Sequence, residues 1–237
     1  MLPLDTALTK AVALSGNQIF SVDQDVIFKG DSEDYLIKEN WLIEGDKNLI
    51  LTATGQGALK DLFHVVIFYN SKNKTIMQGK NKLTSNVTTD FFERFLSIRS
   101  LTSFKNYLSD LTIAKTIRLS RVAGSPGLAI GEPSTNSLKP QIWLDQETFQ
   151  IRKIRFPSET EVSFDDYAAY DKITYPKTKT ITWGHQTALI KVRQVTTKVK
   201  ANLANFYPQK LDQPSEINLS SKGQLGLTIQ EFYTRFR

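Results

Sequence analysis

No cysteine occurs among the 237 residues, which excludes disulfides, thiol nucleophiles, thiolate metal centres and lipidation of a thiol. Histidine is nearly as scarce: His64 and His185 are too few for a histidine metal cluster. No run of about 18 consecutive apolar residues exists, so no helix is expected to span a membrane. Twelve glycines and eight prolines are too few for a collagen-like or low-complexity chain. The opening segment Met1–Lys10, interrupted by Asp5 and Lys10, has no apolar core of a signal peptide. The lack of thiols leans toward an exported protein of the cell envelope, which implies that any signal has been removed.

What is present is material for a core. Hydrophobic residues make up 40% of the chain and include 14 Phe, 8 Tyr and 3 Trp, which require burial. The length suits one large β domain, taken here as residues 1–210, with 211–237 as an extension that can be helical and pack on the same domain. The net charge of +6 is unevenly placed. Residues 1–71 are acidic overall, whereas residues 172–210 carry eight Lys and Arg and no acid. Lys177, Lys179, Lys191 and Arg193 are expected to lie exposed on one hairpin as a positive, partner-binding patch, or else as lysines that guard exposed strands. No aromatic–arginine interleaving of the nucleic-acid-binding kind accompanies them, so no nucleic-acid partner is expected.

The pattern is mostly of period two. Phe20, Val22, Val26 and Phe28 share one face, and Tyr35, Ile37, Trp41 and Ile43 repeat the alternation after an acidic turn. Leu62–Tyr69 is apolar on both faces and reads as a central strand covered on both sides. Helical spacing interrupts in four places: 3–14, 89–98 with Phe91, Phe92, Phe95 and Leu96, 103–111 with Phe104, Leu108 and Leu111, and 223–236. From residue 113 the strands resume. Strands, helices and more strands in that order point to one large, curved antiparallel sheet, mainly β with helices on a single face, rather than a parallel α/β fold.

Three segments resemble the bacterial lipoprotein-carrier superfamily of LolA/LolB type: Ile142–Ile154 with its Asp145…Thr148 turn, Val162-Ser163-Phe164-Asp165-Asp166-Tyr167, and Tyr175-Pro176 opening the next strand. Asn205-Phe206-Tyr207-Pro208 is similar to the closing motif of those proteins. The match extends over about residues 113–210. It implies an unclosed β-barrel with helices on its concave face and an apolar cavity that shelters acyl chains. The implied wall is Phe20, Val22, Val26, Trp41 and Ile43, and the implied lid Phe92, Phe95, Phe104 and Leu108. The resemblance implies a monomeric carrier of lipid or lipoprotein acyl chains in the periplasm or cell envelope, with no catalysis, cofactor or metal. The alternative is an envelope interaction or sensor protein that uses the same half-barrel to bind a protein partner.

Other constellations point to no chemistry. His64 is expected in the core and His185 in an exposed Gly184-His185-Gln186 turn; neither has a nucleophile beside it. Asp31, Glu33 and Asp34 lack the spacing and glycine of an EF-hand. Gly55–Lys60 lacks P-loop spacing.

Overall fold

A computed structural model describes residues 2–30, 33–78, 81–132, 138–207 and 215–237. The chain enters through helix α1 (Leu4–Ala13) and then runs six strands as a meander: β1 (Phe20–Phe28), β2 (Tyr35–Ile43), β3 (Asn48–Gly55), β4 (Phe63–Asn70), β5 (Asn73–Gln78) and β6 (Asn81–Asn86). A 3₁₀ turn at Glu93–Ser97 and helix α2 (Leu101–Asp110) follow. A second meander comprises β7 (Ile117–Val122), β8 (Ser125–Ile130), β9 (Gln141–Asp145), β10 (Ile151–Arg155), β11 (Glu161–Tyr170), β12 (Ile173–Trp183) and β13 (Gln186–Thr196). A short strand β14 (Glu216–Ile217) and helix α3 (Gly223–Arg235) complete the order.

The two meanders join where β1 pairs with β13, which makes one antiparallel sheet in the order β6-β5-β4-β3-β2-β1-β13-β12-β11-β10-β9-β8-β7, with β14 paired to β4. The sheet is unclosed, since β6 and β7 are its two ends. Both end strands carry charge: β6 includes Lys82, and β7 carries Arg118 and Arg121, which discourages pairing with another chain. The expected single curved sheet with helices on its concave face is the observed fold.

Strict alternation sets that face. β1 buries Phe20, Val22, Gln24, Val26 and Phe28, and β2 buries Ile37, Glu39, Trp41 and Ile43 directly against them, with Trp41 opposite Val22. β4 is indeed covered on both sides: Phe63, Val65, Ile67 and Tyr69 face the main core, while Val66 and Phe68 form a separate cluster with Met77. His64 departs from expectation, because its place in the alternation puts it on the outer face, half-buried, opposite Glu216 of β14. His185 is exposed in its turn.

The expected helix at 89–98 is instead the single 3₁₀ turn Glu93–Ser97. Every residue from Asp90 to Ser97 is buried, so the segment has no wet face for an amphipathic helix to present. Helix α2, by contrast, forms as expected: Ser100 Oγ accepts from Ser103 N, and Phe104 and Leu108 face inward. Helix α3 packs its Phe232 edge-on to Phe28 at 5.2 Å, its Tyr233 on Phe63 at 4.6 Å, and the following Phe236 on Trp183 at 5.1 Å. Gly226 permits the seating of α3, since a Cβ there would stand 2.3 Å from the Leu219 carbonyl oxygen.

Candidate functional site

The centre of the concave face is polar at four strand and turn positions. Gln24 and Glu39 occupy inward places on β1 and β2, Lys179 an inward place on β12, and Glu93 the buried 3₁₀ turn; all are buried. Arg237, just beyond α3, inserts its side chain among them with no exposure.

Lys179 Nζ donates to both Glu93 carboxylate oxygens at 2.8 Å and to Gln24 Oε1 at 2.9 Å. Tyr175 OH donates to Glu93 Oε2 at 2.9 Å. Arg237 Nε donates to Glu39 Oε1 at 2.8 Å and its Nη2 to Glu39 Oε2 at 3.1 Å, a bidentate pair, with Glu93 Oε1 3.6 Å from Nη2. Glu39 Oε2 also accepts from Gln24 Nε2 at 2.6 Å and Trp41 Nε1 at 3.1 Å. Two carboxylates therefore meet two cations, and the cluster is neutral. The Arg237 guanidinium also lies 4.9 Å from the ring centres of Phe92 and Phe232 and 5.4 Å from that of Trp41.

Burial by itself would raise the Glu93 carboxyl, but the charges of Lys179 and Arg237 and the hydrogen bonds from Lys179 and Tyr175 hold it below its ordinary 4.5. A depressed carboxylate contributes stability that is present above its unfolded value and lost as pH falls through the folded one. Urea-denaturation midpoints are accordingly expected to hold from neutral pH to about pH 5 and to drop below about pH 4.5. A Glu93→Gln variant should be less stable at pH 7 and show a shallower acid decline; an unchanged acid slope would remove Glu93 from this account.

Lys179 corrects the expected basic patch. It is fully buried, because it shares the inward face of β12 with Tyr175 and Ile181. Lys177 and Lys191 are exposed as expected. Arg193 is the extra residue of a bulge opposite Asp23 and Gln24, exposed and 2.9 Å from Asp25 Oδ1.

The implied wall and lid come together but enclose no space. Phe20, Val22, Val26, Trp41, Ile43, Phe92, Phe95, Phe104 and Leu108 are each 2% exposed or less. Trp41 stacks on Tyr69 at 5.7 Å and Phe91 at 6.0 Å, and Phe92 meets Phe164 at 6.2 Å. Phe232, Phe236 and Arg237 fill the concavity where an empty pocket was expected. The signal for this cluster stood in the sequence as breaks in the stripes: a glutamine between Val22 and Val26, a glutamate between Ile37 and Trp41.

Open space lies elsewhere. A mostly apolar cavity of about 480 Å³ remains where α3 meets β4, β5 and β6, bordered by Val65, Ile67, Ile76, Leu83 and Tyr233. Lys74 stands on its wall and donates to the Thr234 carbonyl at 2.9 Å and the Arg237 carbonyl at 2.8 Å, which straps the end of α3 to β5. A polar cavity of about 640 Å³ lies beside α2. Among the described residues no group of three or more His, Asp or Glu is placed to hold a metal ion, and no helix is long and apolar enough to cross a membrane. Asp31 falls outside the described residues.

A single unclosed antiparallel sheet, wrapped around helices on its concave face, defines the class of β half-barrels to which the lipoprotein carriers of LolA type conform. No protein-family model matches this sequence, and no curated protein matches it. Among solved structures, the chain is similar to the LolA superfamily protein NE2245 from Nitrosomonas europaea, at a TM-score of 0.61 and 11% identity, over 89% of this chain and 100% of that one. It is also similar to a Vibrio parahaemolyticus domain described as an outer membrane lipoprotein-sorting protein, at a TM-score of 0.56 and 14% identity, over 86% and 95%. A DUF1329 family protein from Desulfovibrio piger matches at a TM-score of 0.55 and 12% identity, over 87% and 98%. The chain has the LolA-type fold.

Proposed function

We propose that this chain is a non-catalytic binding protein of the bacterial cell envelope, working in the periplasm, that shelters the acyl portion of a lipid or lipoprotein. The observation that carries this reading is the 480 Å³ apolar cavity at the margin between α3 and β4–β6. Its volume falls in the range of about 300–1,000 Å³ typical of small-ligand sites. Leu83 and Ile217, 51% and 41% exposed, stand at its margin as apolar side chains open to an arriving chain. Each methylene taken from water there contributes about 0.8 kcal/mol. On this reading the aromatic wall of Phe20, Val22, Val26, Trp41 and Ile43, with Phe92, Phe95, Phe104 and Leu108, is a further ligand surface, closed in this structure by its own packing and by α3 and Arg237. The likeness to a domain described as lipoprotein-sorting supports the same reading.

Titration with a fluorescent long-chain fatty acid tests it. Saturable binding by the unaltered protein is expected. Ile76→Asp, which places a carboxylate on the wall of the cavity, should abolish that binding while shifting the thermal midpoint little, because Ile76 is only half-buried. No saturable uptake by the unaltered protein would overturn the acyl reading.

One observation favours a second reading. The concave wall is filled by the chain's own Phe232, Phe236 and Arg237. A protein so filled would act through its outside, as an envelope interaction protein, with Lys177, Lys191 and Arg193 facing an acidic partner.

A further inference from the structure

Arg94 is 7% exposed, and its buried Nε has no hydrogen-bond partner among the described residues. Its Cζ lies 4.2 Å from the ring centre of Tyr107 and 5.7 Å from that of Phe95. A ring contact supplies the N–H donors with no lone-pair acceptor. The buried Nε has none. Burial lowers the Arg94 pKa against the opposing charges of Asp110 and Asp46, and a guanidinium remains charged at neutral pH. A buried cation of this kind calls for an anion.

Arg94 borders the 640 Å³ cavity, and the groups that share it suit an anion. Lys47 and Lys72, both exposed, supply two more positive charges from the β2–β3 and β4–β5 turns. Ser100, Thr102 and Ser103 line it from the first turn of the ten-residue helix α2, whose positive dipole end lies there. Two carboxylates are near: Asp110 at the cavity wall, and Asp46, which is occupied by the Tyr107 hydroxyl at 2.7 Å. Three cations against these two leave an excess of positive charge around a donor that lacks a partner.

We propose that this cavity binds a phosphate-type oxyanion, with the Arg94 guanidinium, Lys47, Lys72 and the hydroxyls of Thr102 and Ser103 as its ligands. A fork of N–H donors, two ammonium groups and a cluster of hydroxyls match an oxyanion's several acceptors. The group can be a free phosphate or the phosphate of a lipid headgroup. The site stands on Arg94 and not on the acyl cavity, so either can fail without the other.

Calorimetric titration with inorganic phosphate, in a phosphate-free buffer at fixed ionic strength, tests the site on the full chain. Saturable binding is expected, together with a phosphate-dependent rise in thermal midpoint that chloride at equal ionic strength does not give. Arg94→Met should abolish binding and Lys72→Ala should weaken it by roughly tenfold, as loss of one charge-assisted bond does. Lys72 is exposed, so its variant keeps the test decisive even where Arg94→Met fails to fold. The second arm uses dihexanoyl phosphatidic acid below its micelle concentration. Affinity above that of phosphate, lost in Lys72→Ala, assigns the site to a lipid headgroup; equal affinity assigns it to the free anion. No saturable binding of either probe, or binding that both substitutions leave unchanged, would overturn the proposal.

Discussion

Lys179→Ala is expected to destabilise the protein by about 3–5 kcal/mol, because it takes the nearest cation from the buried Glu93 carboxylate and leaves it the Tyr175 and Gln24 donors and a longer Arg237 contact. The loss is of the kind seen when one partner of a buried pair is removed, and it exceeds what the pair itself contributes, since the carboxylate stays desolvated after its closest cation is gone. For a chain of this length the thermal midpoint should fall by roughly 6–20 °C. The companion experiment is the double variant Lys179→Met with Glu93→Leu. It removes one charge of each sign and leaves the Glu39–Arg237 pair intact, so a large part of the lost stability should return. If the single variant unfolds within 1 or 2 °C of the unaltered protein, the cluster is hydrated and the description of a dry charged core is wrong.

Trp41→Ala carries the second large effect. The indole is fully buried and stacked against Tyr69, with Phe91 beyond and the Arg237 guanidinium 5.4 Å from its ring. Removal of so large a buried side chain costs about 3–5 kcal/mol through lost transfer energy and a residual cavity. Glu39 also loses the Nε1 donor at 3.1 Å. The same substitution opens space on the concave wall, so it separates two roles in one measurement. As a core residue only, its loss lowers the urea midpoint and leaves fatty-acid binding as it was. As part of an acyl-binding wall, its loss also changes the affinity for the fluorescent fatty acid.

These expectations rest on features of unequal visibility in the chain. The alternation of Phe20–Phe28 and Tyr35–Ile43 determined two strands and their inner faces, because a period of two cannot serve any other element without exposing the aromatics. The doubly apolar run at β4 likewise determined a strand covered on both sides. Strands β5, β6 and β8 carried too weak a stripe to be read individually; β6 is exposed throughout, so no alternation of burial marks it. The turn at Glu93–Ser97 misled in the opposite way. Its aromatics fall at helical spacing, but burial on every side removed the wet face that the pattern assumed.

By itself, then, the sequence determined the class of fold and the faces of its strands, since local periodicity alone decides which side chains share a side. Only the tertiary structure decided what that inner side encloses. Hydrogen-bonded partners among Gln24, Glu39, Glu93, Lys179 and Arg237 lie up to 198 residues apart, and nothing local in any one of them specifies the others. Lys179 read as a surface lysine because its charge suggested water; its parity on β12 and the carboxylate waiting across the sheet overrode that. The filling of the concave face by α3 was equally invisible, because an amphipathic helix declares that it has an apolar side and not which surface will receive it. Arg94 follows the same rule: the chain shows an arginine among phenylalanines, and the fold alone buries its Nε without a partner beside a cavity.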